Sequence, residues 1–156
     1  MLKTLFFQFF AAFLGTVAFS IIFQVPRRYY VDCGGIGGLG WIVCWLLMQA
    51  DVSAYFSTLV ATIFVVLSSR LCGTWLKCPV TVFLLSGIFP LVPGVGIYWT
   101  LYYLIAGNVL KCSEYGRHSM GIAGAIVLGI IFTFEIPTKT ISKICNFKMN
   151  KRGKRI

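Results

Sequence analysis

Five stretches of this 156-residue chain carry no Asp, Glu, Lys or Arg, and together they cover most of it. They are Thr4–Pro26, Cys33–Ala50, Val52–Ser69, Cys78–Leu110 and His118–Phe134. Crossing a hydrocarbon core of about 30 Å takes about 20 helical residues. Backbone polar groups at that depth find partners only within a helix or a closed barrel. Four of the stretches fit one helical crossing each. The composition agrees, with 58% hydrophobic and 12% charged residues, where soluble domains hold about 45–50% and about 25%. The expected fold is therefore an all-α, polytopic membrane domain over residues 1–138. Its spans are placed near 4–26, 33–50, 52–69, 79–110 and 118–136, with a basic cytoplasmic tail at 139–156.

The fourth stretch is too long for a single straight crossing. Its 33 residues would make about 50 Å of helix. Pro90-Leu-Val-Pro93-Gly94 is where it breaks, because each proline removes a backbone donor and Gly94 loosens the chain beside them. Irregular backbone inside a membrane is tolerated where protein buries it or a cavity solvates it. Secondary carriers use such breaks to aim a half-helix N-terminus, with its free N–H groups, at an anionic substrate. On that reading Pro90, Pro93, Gly94, Gly96, Tyr98 and Thr100 shape a substrate site. Pro93 approaches the new helix, the glycines admit a ligand to the backbone, and the two hydroxyls lie in the first turns. The competing reading is a plain kink whose freed groups are satisfied by neighbouring helices.

Charge sets the orientation. With five crossings, Arg27, Arg28, Arg70, Lys77 and the seven basic residues from Lys139 to Arg155 share one face. Lys3, Lys111 and Arg117 lie on the other. Basic residues collect on the cytoplasmic side, so the N-terminus is expected outside and the C-terminus in the cytoplasm of a bacterial-type inner membrane. The net charge of +10 is thereby topogenic, with anionic membrane lipid a compatible contact. No aromatic or motif-like residues interleave with it, so nucleic acid is not an expected partner. Arg70 and Lys77 could also guide anions at the cytoplasmic mouth.

Small residues recur at helical spacing. Gly34 and Gly38, Ala11 and Gly15, and Gly121, Ala125 and Gly129 form stripes that let backbones approach in lipid. Ser53, Ser57 and Ala61 form another. The run Gly35-Ile-Gly37-Gly-Leu-Gly40 matches a dinucleotide fingerprint, but that chemistry needs a preceding strand and a helix in water. Inside a span it reads as helix packing. The four acids, Asp32, Asp51, Glu114 and Glu135, lie at span ends, where Asp32 and Asp51 can cap the helices that follow. Six cysteines lack metal spacing and read as reduced. No nucleophile–base pair or metal set is recognisable, so neither an enzyme nor a cofactor is expected. No acid or base falls between the ends of a span, so either transport is uncoupled or another chain supplies the coupling group.

The block Pro90-Leu-Val-Pro93-Gly94-Val-Gly96-Ile-Tyr98 resembles the threonine/serine exporter family. So do Ser69-Arg70, Pro79-Val-Thr-Val-Phe83 and the first-span end Phe19-Ser-Ile-Ile-Phe23-Gln-Val-Pro26-Arg27, with Gln24 where Asn is common. The resemblance covers about residues 5–135 and is to the small second module, which occurs fused to a larger exporter module or as a separate short chain. It implies ion-gradient-driven export of small amino acids such as threonine and serine, or of dicarboxylates such as succinate. It also implies a larger membrane subunit as partner. Two other classes fit the residues: a non-transporting scaffold or assembly subunit, and a self-assembling channel.

Overall fold

The computed structural model describes residues 2–136, and every element of regular structure within them is helical. The helices are α1 (Leu2–Ile22), α2 (Tyr30–Gln49), α3 (Ala54–Leu76), α4 (Val80–Ile88), α5 (Gly94–Ile105) and α6 (Val109–Phe134). Single 3-10 turns at Arg27–Tyr29 and Phe89–Leu91 lead into α2 and out of α4. Among the described residues, α1, α2, α3 and α6 are long and apolar enough to cross a membrane. The segments Val80–Leu91 and Gly94–Ile105, bent by 56° at their junction, pass the same test as a pair and make a fifth span if counted as one. The basic tail at 139–156 lies outside the described residues.

The helix ends follow from local chemistry. Gln24, Asp51 and Lys77 adopt left-handed backbone (φ 55°, 57° and 51°), closing α1, α2 and α3 respectively. At the first of these, Val25 N–H reaches back to Ser20 O and Gln24 N–H to Ile21 O, the paired bonds that satisfy a helix's last carbonyls. Asn tolerates that conformation better than Gln, so Gln24 holds it by virtue of these bonds and not of residue type. Asp51 therefore ends α2 and does not cap α3 as expected. Ser53 caps α3 instead, its side chain accepting from Phe56 N–H. Asp32 sits in the first turn of α2 without capping it.

The last helix begins earlier than the charge-free interval suggested. A left-handed Gly107 (φ 71°) ends α5, and the Asn108 side chain accepts from Lys111 N–H to start α6 at Val109. Lys111, Glu114, Arg117 and His118 thus lie on the first turns of a 26-residue helix. The interval marked where charge stops, whereas the cap marks where the helix starts.

Helices α2 and α3 form the centre. The former packs against α1, α3 and α4, and the latter against α2, α4 and α6. Glycine makes these approaches close. A methyl group added at Gly37 would strike the Thr16 side chain, and one at Gly40 would strike Val65. At Gly34 and Gly38 it would come within 2.7 and 2.8 Å of the Phe13 and Phe9 rings. Across the α3–α6 contact, Gly129 faces Thr62 and Gly121 faces Tyr55 at 2.9 and 2.6 Å on the same test, and Ala125 is buried. Close contact of this kind replaces the hydrophobic drive that lipid cannot supply. The hydroxyls that share the core donate to their own helices: Thr16 to Ala12 O, Ser20 to Thr16 O, Thr62 to Thr58 O, Ser69 to Val65 O and Thr133 to Gly129 O, all at 2.7–2.8 Å. They fill space without needing water.

Candidate substrate site at the broken span

The break has a defined geometry. After Ile88 the chain tightens into one 3-10 turn, and Val92 N–H donates to Phe89 O at 3.1 Å. Val92 is extended (φ −65°, ψ 130°), as the residue before a proline must be. Pro93 then turns the chain at φ −78°, ψ 57° and α5 starts at Gly94. Gly94 N–H folds back onto Val92 O at 2.8 Å, and Ile97 N–H donates to Pro93 O at 3.0 Å. Among the described residues the Val95 and Gly96 amides have no backbone acceptor. They form the free donor end that a helix start leaves.

The six residues expected at this site fall on different surfaces. Pro90 lines a cleft against α1 and α2. Gly94 is exposed, with open space where a side chain would go. Gly96 is a packing glycine, since a methyl group there would strike the Ser119 hydroxyl of α6. Tyr98 is 61% exposed and stacks on Tyr102. Thr100 donates to Gly96 O at 2.7 Å and lines a second cleft, between α5 and α6, with Ile97, Ser113 and Arg117. The break thus gathers Pro90, Pro93 and Gly94, while Gly96 and Thr100 belong to the α5–α6 seam.

The cationic residues divide in a similar way. Lys77 is exposed at the left-handed end of α3. Arg70, expected beside it at the mouth, is 4% exposed and lies inside α3. Its guanidinium donates to Thr133 O and Ile136 O and sits 5.4 Å from the Phe134 ring centroid. Arg70 therefore closes the end of α6 and is not open to a passing anion. It is also a charge within a helix that the sequence placed at a span end. The buried cation is balanced by carbonyl dipoles at a helix C-terminus.

Two residues near the break escaped the sequence reading. Gln8 of α1 accepts a hydrogen bond from Trp41 Nε1 of α2 at 2.9 Å. With Ala11, Ala12, Gly15, Phe19, Phe89 and Pro90 they line a cleft of about 270 Å³. Phe19 and Phe89 stack beside it with ring centroids 3.6 Å apart. The available signal was Gln8 itself, a carboxamide standing alone in an apolar run.

The family described as "Threonine/Serine exporter, ThrE" matches residues 8–136, from Gln8 through the broken span to the end of the described helices. The chain belongs to the threonine/serine exporter family. Among similar proteins is an uncharacterised protein of Haemophilus influenzae, 30% identical over 139 residues. That match covers 83% of this chain and 46% of the other, so the chain spans about half the length of the curated relative it matches. No solved structure matches. The exporter family and the apolar helices together make this a multi-pass membrane protein.

Proposed function

We propose that the chain is the small subunit of a secondary-active exporter for small carboxylate-bearing metabolites, either threonine- and serine-type amino acids or dicarboxylates such as succinate. The observation that carries this reading is the 56° break at Pro90–Gly94, lying within the stretch that matches the exporter family. A half-helix start with free Val95 and Gly96 amides suits a carboxylate, and open space at Gly94 leaves room for one. A larger membrane subunit completes the transporter. The N-terminus lies outside and the C-terminus in the cytoplasm, on the charge asymmetry of the loops.

Efflux from cells expressing the full system tests the site. Gly94→Leu should abolish threonine or succinate efflux while the protein still reaches the membrane at normal abundance. Normal efflux from that variant would return the break to a plain kink. Orientation is tested by an impermeant thiol reagent on single-cysteine variants: Cys112 should label from outside and Cys72 should not, and the reverse pattern inverts the topology.

A further inference from the structure

The Gln8–Trp41 pair is a side chain to side chain hydrogen bond between α1 and α2, two helices long and apolar enough to cross a membrane. Gln8 is about 6 Å along the axis from the middle of α1, and Trp41 about 2 Å from the middle of α2. Trp41 has only a donor to give, so Gln8 Oε1 must accept. That contact fixes which way the carboxamide points and leaves the Nε2 amide free. Nε2 makes no hydrogen bond among the described residues and is not sealed off by protein, and Gln8 lines the cleft that reaches the break at Pro90. Lipid offers such a donor no acceptor, and the cleft that Gln8 lines is a place where one can sit.

The walls define what fits. About 270 Å³ lies just below the range of about 300–1,000 Å³ usual for drug-sized ligands, and is room for a metabolite of a few heavy atoms with some water. Ala11, Ala12 and Gly15 keep the α1 wall low. At Gly15 a methyl group would meet nothing within 4 Å, so this residue of an apparent packing stripe faces space. Phe19, Phe89 and Pro90 are apolar, which leaves Gln8 as the polar anchor of the lining together with the indole that holds it.

We infer that Gln8 is a substrate-binding residue, oriented by Trp41, whose free amide donates to a carboxylate or hydroxyl oxygen of a small metabolite held in the cleft between α1, α2 and the break. The inference rests on the exporter reading and adds a polar contact on the Pro90 side of the break, apart from the Val95 and Gly96 amides. Trp41 acts through Gln8 and is a positioning residue.

Two measurements test it, one of flux and one of occupancy. In cells expressing the full system, Gln8→Leu and Gly15→Leu should each cut threonine or succinate efflux at least tenfold at unchanged abundance. Trp41→Phe should raise the half-saturating concentration severalfold and leave the maximal rate nearly intact. Gly124→Leu on α6, also in open space, should transport normally. Separately, a thiol placed by Gly15→Cys in a background without other cysteines should react more slowly with a permeant maleimide when L-threonine or succinate is present, and Gly124→Cys should not. Wild-type efflux with full activity in both leucine variants overturns the inference and leaves the exporter reading standing. Protection at position 15 without any wild-type flux keeps the cleft and overturns the exporter reading. Neither flux nor protection overturns both.

Discussion

The α1–α4 bundle with α6, and the α5 arm, are built from similar residues and differ sharply in how those residues are used. In the bundle, Cys33, Ala61, Val65, Val66 and Phe83 are fully buried, and glycine lets Thr16, Val65 and Thr62 sit against neighbouring backbones. In the arm no residue is buried, α6 is the extensive neighbour, and Val95, Tyr98, Leu101 and Ile105 face outward. Both are apolar and helical, so hydropathy does not separate them. What separates them is the spacing of small residues against partners. The bundle has matched pairs on several helices, whereas the arm has the Gly96–Ser119 and Thr100–Gly116 contacts on one. Rigidity is therefore concentrated on one side of the break.

That contrast can be broken by graded substitutions at glycine. The largest effect should come from Gly37→Val, which drives a branched side chain into Thr16 at the α1–α2 contact. Overpacking of this kind typically costs about 1–3 kcal/mol and sometimes more, and neither helix can move without disturbing the others. Loss of the folded protein in detergent, read by thermal aggregation, is the expected outcome. A melting curve like the wild type would show that the bundle is looser than its glycines imply.

An intermediate effect is expected at Gly96→Val. It strikes Ser119 but can be relieved by a shift of α5 alone, for about 1 kcal/mol. Ser119→Gly in the same chain should recover most of the loss, since the two sites touch. A drop as large as that of Gly37→Val, with no rescue, would mean the arm is bound as tightly as the bundle. The smallest effect belongs to Gly94→Leu, where an added side chain meets open space. Its stability should stay within about 0.5 kcal/mol of wild type, so that any loss of efflux reports on the site and not on folding.

Much of the fold was legible from charge and punctuation. Charge-free intervals gave the crossings because lipid excludes unpaired charge, and two prolines three residues apart marked the break. Helix ends were less legible. Asp51 looks like a cap by residue type, but the left-handed turn it adopts is decided by the paired bonds of Asp51 and Val52 N–H to Met48 O and Leu47 O. The start of α6 was missed because the Gly107–Asn108 signal lies outside the stretch that charge defines. Local motif reading located the break at Pro90, Pro93 and Gly94. It could not find the partnership of Gln8 with Trp41, which are 33 residues apart and meet only once α1 and α2 are packed. Arg70 shows the same limit: the carbonyls that receive it lie more than 60 residues on.

That last contact has a consequence in time. A chain leaving the ribosome makes α3 well before α6, so the Arg70 guanidinium enters the bilayer before Thr133 O and Ile136 O exist to receive it. Until then a long side chain at that end of α3 keeps its charge by reaching toward the headgroups. Arrival of the last helix gives it carbonyl partners within the protein. The α3–α6 seam thus exchanges water for backbone at this one charge.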